Sequence, residues 1–265
     1  VDKEEESMRV IFDRETMIAN GIEIVNWSAE RRVEVSWMIK HQFDSLHIRE
    51  VLKNSGCVYT TKEDLHWECI YTSPRITIVD AFDRREGITM KEAKSVKNKD
   101  IAIVNFYCCN EIKPTVEDLN RIYKSLKDMG FKWISYGGSM MMNYDKFLCD
   151  EIRVGEALLT GYSTVDECYF PDMHNPYSVI LDVMESSEDG VVVKHGFLEI
   201  GGFTDVEARC VNTDCTVLMI EDWERYSAGS KIKVQPDYFT LIKLADKGYL
   251  NNVENKKNRR VLWSN

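Results

Sequence analysis

The chain has 265 residues, with 34 Lys plus Arg against 44 Asp plus Glu, a formal net charge of −10. Hydrophobic residues make up 44% and charged residues 29%, the balance of a globular protein with a sizeable core and not of a disordered chain. An acidic surface argues against a general nucleic-acid or anionic-membrane binder, because neutralising phosphates needs a basic one, and no run approaches the ~18 apolar residues of a membrane span.

The chain starts at Val1, and Val1-Asp-Lys-Glu-Glu-Glu6 is acidic where a signal peptide would be basic and then apolar. A cytoplasmic protein is expected, and the reading allows for residues missing before Val1. Residues 8–20 are predicted as a helix ended by Gly21, and Ile22-Glu-Ile-Val-Asn-Trp27 as a strand. Further strands are expected within Ser45–Arg49 and at Cys57–Thr61, Ile76–Phe82, Ile101–Tyr107 and Phe131–Ser135, all short, β-branched or aromatic, and bounded by polar or Gly residues. Between the last two, Leu119, Ile122, Tyr123, Leu126 and Met129 recur at the helical period. Thr115 is placed to cap that helix, with Asp118 in a capping box and Gly130 at its end. A last strand-like unit follows at Glu151–Leu159.

Apolar strands alternating with helices imply a parallel sheet covered on both faces. Their number favours a (β/α)8 TIM-type barrel over residues 1–170, possible loss of its N-terminal part included, with a doubly wound sheet as the alternative. After about residue 170 the pattern changes. Tyr177–Val183, Gly190–Ile200, Val206–Val211 and Thr216–Ile220 are strand-like with turn signals between them, and no strong helix intervenes. A mostly antiparallel β-domain over 171–250 is expected, followed by a basic solvated tail at 251–265.

The eight cysteines form no C-x-x-C pair and the five histidines no H-x-x-x-H spacing. Buried reduced thiols and no metal site are expected. Three segments at strand ends carry chemistry. Tyr136-Gly-Gly-Ser139 offers backbone amides and a hydroxyl to an anion such as phosphate. Arg153-Val-Gly-Glu-Ala157 puts a guanidinium inside an apolar strand, where it needs a partner. Val79-Asp-Ala-Phe-Asp-Arg-Arg-Glu-Gly87 adds Arg85. In barrels, ligands sit at the C-terminal ends of the strands.

Taken in order, Lys113-Pro-Thr-x-x-x-Leu119, Ile134-Ser-x-Gly-Gly-Ser139, Arg153-x-Gly-Glu-Ala-x-Leu-x-Gly161, Asp205-Val, Asp214, and Asp237-Tyr with Tyr249 resemble the pyridoxal 5'-phosphate (PLP)-dependent alanine racemase superfamily, and within it the ornithine racemase branch. The resemblance covers about Cys57 to Tyr249. It implies a barrel followed by a β-domain, a homodimer, and PLP at the barrel mouth. It also implies an amino-acid substrate whose Cα proton is removed on one face and returned on the other. Carried over by position, Ser139 and the amides of Gly138, Gly155 and Glu156 would hold the cofactor phosphate, and Tyr249 is a further phosphate-side candidate. Arg153 would face the pyridine nitrogen, Arg85 the phenolic oxygen, and Asn105 a polar position on the sixth strand.

The family's Schiff-base lysine ends the first barrel strand. Lys3 fits by its spacing to Gly21, although three glutamates beside it would hold its proton on. Phe203 stands where alanine racemases have a proton-transferring Tyr, and Cys215 and Tyr238 are the candidates for that role. The alternatives are a non-catalytic PLP-binding or ligand-sensing relative and a PLP decarboxylase of the same fold.

Overall fold

Met8, Val10 and Phe12 are buried and Arg9 is exposed, the period-two alternation of a half-buried strand. This is β1 (Met8–Phe12), the first element of a computed structural model that describes residues 8–38, 76–80, 87–106, 113–210, 212–252 and 254–255. It is followed by α1 (Arg14–Arg31). Asp13 accepts a hydrogen bond from the amide of Thr16 at 3.2 Å and opens the helix. The predicted helix over 8–20 and strand over 22–27 are thus corrected to a strand and then a helix. The physical reason lies in the burial period: Met17, Asn20, Gly21 and Ile24 are buried at helical spacing, while Ile22 is exposed. Gly21 lies inside the helix and does not end it.

The chain divides into two compact units, residues 18–173 and a second made of 1–17 with 174–265. Residues 8–17 therefore belong with the later β-rich segment. In the first unit, β2 (Glu34–Trp37), β3 (Ile76–Asp80), β4 (Ile88–Thr89), β5 (Ile101–Asn105), β6 (Trp133–Gly137) and β7 (Glu151–Val154) form one six-stranded parallel sheet. Its order is β2-β7-β6-β5-β3-β4. The first of these strands in the chain pairs with the last, through Glu34↔Glu151 to Trp37↔Val154, which is the neighbour relation of a barrel's closing pair. The described strands do not themselves close a ring. The strands expected within 45–49 and at 57–61 lie outside the described residues.

Ala102, Ile103 and Val104 are all buried, as are all four residues of β7, the mark of strands covered on both faces. α2 (Val116–Asp128) has the expected capping box of Thr115 with Asp118 and buries Leu119, Ile122 and Leu126. Gly130 follows it at φ +93°, a conformation costly for any side chain. α3 (Glu156–Thr160) follows β7, so the predicted 151–159 unit is a strand and then a helix. A small hairpin, β8 (Tyr162–Ser163) and β9 (Cys168–Tyr169), comes next.

The second unit is built on β10 (Tyr177–Ser187), with β11 (Gly190–Lys194), β12 (Ala208–Cys210), β13 (Cys215–Leu218) and β14 (Lys231–Val234). β10 pairs antiparallel with β1, β11 and β14, and a register shift at Val183–Glu185 lets one long strand serve three neighbours. α4 (Tyr238–Asp246), capped by Asp237, was not anticipated, and β15 (Glu254–Asn255) pairs parallel with β1. Val179, Leu181, Val183, Val191, Val193, Leu218, Ile232 and Val234 form this unit's core.

Candidate functional site

The C-terminal ends of β5, β6 and β7 are neighbours in the sheet, and the buried polar residues Asn105, Ser139 and Arg153 lie at or near them. β6 ends at Gly137, and the chain turns through Gly138 at φ +102° into a single 3-10 turn, Ser139–Asn143. β7 ends at Val154 and turns through Gly155 into α3. A Cβ on Gly155 would lie 2.2 Å from the carbonyl oxygen of Met38, so only glycine lets the end of β2 approach this turn. The Ser139 hydroxyl, nearly fully buried, accepts hydrogen bonds from the amides of Gly155 at 3.3 Å and Ala157 at 3.0 Å. The two turns are thereby tied through one oxygen.

Gly138, expected to offer its amide to a ligand, donates it to the carbonyl of Arg153 at 3.1 Å. The Glu156 carboxylate is turned to Thr164, accepting from its amide at 2.9 Å and from its hydroxyl.

Arg153 is 2% exposed. Its Nη1 donates to the carbonyl and the hydroxyl of Ser135 at 2.7 and 2.9 Å. Its Nη2 donates to the carbonyl of Val104 and to Asn105 Oδ1, both at 3.2 Å. A Cβ on Gly137 would stand 2.4 Å from Nη2, so the guanidinium lies across a strand position that only glycine leaves open. The partner demanded by a buried guanidinium is in the next layer. Ser135 donates its hydroxyl proton to Glu151 Oε1 at 2.7 Å, and Glu151 is buried. Glu151 and Arg153 are two residues apart on one strand, hence on one face. That spacing was legible in Glu151-Ile-Arg153, but Ser135 and Glu151 were not singled out from the sequence.

The loops around these strand ends are cross-linked. Asp166 accepts hydrogen bonds from Lys113 Nζ at 2.8 Å, Asn143 Nδ2 at 2.6 Å and Ser163 Oγ at 2.7 Å, and Tyr144 donates its hydroxyl to the carbonyl of Pro114 at 2.7 Å. Burial would push the Asp166 carboxyl up, but the hydrogen bonds from Lys113, Ser163 and Asn143 outweigh it and hold the group below its usual value. At the opposite, N-terminal end of β7, burial and then the charges of Asp150 and Glu151 push the Cys149 thiol up to about 12.

The structure thus brings together Asn105, Gly138, Ser139, Arg153, Gly155 and Glu156. Cys215, half-buried at the start of β13, Tyr238 at the start of α4, and Tyr249 in the turn Tyr249–Asn252 belong to the other unit. Phe203 bridges to Pro236 in that same unit. Lys3 and Arg85 lie outside the described residues. The spacing that favoured Lys3 assumed a strand opening after Gly21, and that segment is helix. The first parallel strand is β2, and two residues beyond Met38 the sequence reads Lys40, a lysine the sequence reading passed over. Cys168 is exposed, against the expectation of buried thiols. Among the described residues, no group of three His, Cys, Asp or Glu side chains could hold a metal ion, and no helix is long and apolar enough to cross a membrane.

No protein-family model and no curated protein matches the sequence. Solved structures do match the fold. The D-threo-3-hydroxyaspartate dehydratase from Delftia sp. HT23 superposes with a TM-score of 0.63 at 12% identity, over 91% of this chain and 93% of that one. An alanine racemase from Bartonella henselae with covalently bound pyridoxal phosphate gives 0.54 at 13% identity, over 94% and 95%. The alanine racemase from Bacillus anthracis with bound L-Ala-P gives 0.54 at 11% identity, over 92% and 91%. The likeness to alanine racemases read from the sequence therefore holds at the level of the fold.

Proposed function

We propose that this protein is a PLP-dependent enzyme that moves the Cα proton of a free amino acid, and that its reaction is racemisation. One observation carries the reading: a buried guanidinium, Arg153, is fixed on the strand beside the Ser139 turn. A hydroxyl held by two amides and a fixed guanidinium thus stand on neighbouring strands. The donor set fits the cofactor. The Ser139 hydroxyl, its oxygen held by the amides of Gly155 and Ala157, would donate its own proton to a phosphate at this turn, and the nearby Glu156 carboxylate is committed to Thr164.

When bound, PLP supplies the electron sink that acidifies the substrate's Cα–H. Arg153, its Nη groups held by Ser135, Val104 and Asn105, would set its guanidinium edge at the ring nitrogen and, being unable to give up a proton readily, would keep that nitrogen unprotonated and restrain transamination. Asn105 holds the guanidinium's Nη2 and would fix its angle. The amine of Lys40, following the first parallel strand, would carry the cofactor and take or return the proton on one face. Cys215 or Tyr238 would serve the other face, in a cytoplasmic homodimer where one subunit's antiparallel unit completes its partner's site. A basic amino acid such as ornithine is the proposed substrate.

The test is to add PLP, record the visible absorbance of the bound cofactor, reduce with borohydride and map the labelled peptide. A label on Lys40 is expected. A label on Lys3 would overturn the lysine assignment, and no bound chromophore would overturn the cofactor reading. Chiral analysis after incubation with L-ornithine, L-lysine and L-alanine is expected to show the D-enantiomer. A bound chromophore without turnover would favour a binding protein, the reading that Phe203 motivates. Release of carbon dioxide, or of ammonia with a 2-oxo acid, would replace racemisation by decarboxylation or elimination.

A further inference from the structure

A buried polar feature of the parallel unit is a chain of hydrogen bonds running between two charges. The Glu151 carboxylate accepts from Ser135 Oγ at 2.7 Å and from Trp133 Nε1 at 3.4 Å. The same Ser135 oxygen accepts from Arg153 Nη1 at 2.9 Å. Glu151, Ser135 and Arg153 are 3%, 1% and 2% exposed. Ser135 pairs with Glu151 in the β6–β7 register, and Gly137 pairs with Arg153 one layer on, so the chain climbs the sheet from layer to layer. A hydroxyl placed between a carboxylate and a guanidinium has its proton committed to one and its lone pair to the other. Buried charges tolerate such a site only when each is hydrogen-bonded and offset.

We infer that Ser135 and Glu151 are positioning residues for Arg153: they fix the guanidinium across Gly137 and offset its charge, and so set how strongly it acts on the cofactor ring. The inference rests on the PLP reading above. The described groups bonded to Arg153 or in register with it come from four strands. Glu151 lies on its own strand, Ser135 on β6, and the Val104 carbonyl and Asn105 on β5. On β2 the register places Ser36 beside Arg153 and the exposed Glu34 beside Glu151. Among these described groups Glu151 is the buried carboxylate, so removing its charge should leave the cation less compensated.

The experiment reads the pH midpoint of the bound cofactor's absorbance in the full-length protein, with thermal melting alongside. Glu151→Gln keeps the shape and an acceptor for Ser135 but removes one negative charge. The protonated form of the cofactor is then disfavoured, and the midpoint is expected to fall by about 0.5–1 unit, a three- to tenfold change in proton affinity. Ser135→Ala removes the bridge while keeping the carboxylate, and a smaller fall is expected, with PLP affinity reduced about tenfold, an order typical of supporting hydrogen bonds. A purely structural role would lower the melting temperature and leave the midpoint in place. An unmoved midpoint in Glu151→Gln, or in Ser135→Ala if the first variant does not fold, overturns the inference. The wild type is read first: if it binds no PLP, the cofactor reading itself falls and takes this inference with it, whereas a wild-type chromophore with unmoved variants sinks the relay alone.

Discussion

Both units bury an apolar core, but among the described residues only the parallel one adds buried charge to it. The antiparallel unit hides an almost wholly aliphatic set, Val179, Leu181, Val191, Val193, Leu218, Ile232 and Val234, with Thr216, Thr240 and Asn175 as its buried polar members. The parallel unit also hides Arg153, Glu151, Ser135, Asn105 and Ser139 on and just after three adjacent strands. Aliphatic burial stabilises by area alone. Buried charge contributes little net stability and stays costly unless each group is satisfied. The comparison teaches that both units rest on apolar burial, and that the parallel one also holds charge in a fixed direction.

Substitutions should therefore separate stability from cofactor binding, and the sharpest separation is expected in the antiparallel core. Leu181 is fully buried and pairs with Met8 on one side and Ile232 on the other. Leu181→Ala is expected to cost about 2–5 kcal/mol by lost burial and a cavity, measured by denaturant unfolding. The cofactor absorbance per folded molecule should be unchanged. A loss of absorbance with full stability would erase the division of labour.

Gly137→Ala should do the reverse. The added methyl would meet Arg153 Nη2 at 2.4 Å, and the flexible end of the side chain can retreat only by giving up the Val104 carbonyl and Asn105. Stability is expected to fall by about 1 kcal/mol, near the centre of ordinary substitutions. PLP affinity, read by titrating the visible absorbance, should fall about tenfold or more, the 1.4 kcal/mol scale of one displaced hydrogen bond. Wild-type affinity in this variant would mean that Arg153 does not address the ring.

What the sequence made legible follows the same division. α2 was readable to its caps because Thr115, Asp118 and the apolar period are all local signals. The turn at Gly138-Ser139 and the charged Arg153 stood out because glycine pairs and strand-borne charges are locally anomalous. β1 and α1 were misdivided because Ile22-Glu-Ile-Val25 carries strand propensity, whereas the face the helix buries is set by Met17, Asn20, Gly21 and Ile24. β2 was missed because Glu34-Val-Ser-Trp37 has no apolar run, and its place comes from pairing with β7. Losing β2 also left Lys40 out of the search for the lysine. α4 was missed because Phe239, Leu241, Ile242 and Leu244 blur the helical period, although Asp237 was its cap signal. Ser135 and Glu151 could not be joined from sequence at all, since their contact depends on the β6–β7 register.

The smallest effect is expected at the rim of the parallel unit, where Asp166 gathers Lys113, Asn143 and Ser163. Its side chain retains partial exposure, 22% against 37% for Lys113, so solvent screening keeps the ion pair's worth below about 1 kcal/mol. Its carboxyl is held below the ordinary value of 3.8, which means that the ionised form is the one the fold favours. The stability it contributes is therefore fully present above about 3.8 and is lost as pH falls through the lowered folded value. Asp166→Asn should melt slightly below the wild type at neutral pH, and the gap should close as the pH is taken below that value. Melting curves across the acid range test this, and a gap that instead widened in acid would show that Asp166 is carried by its geometry and not by its charge.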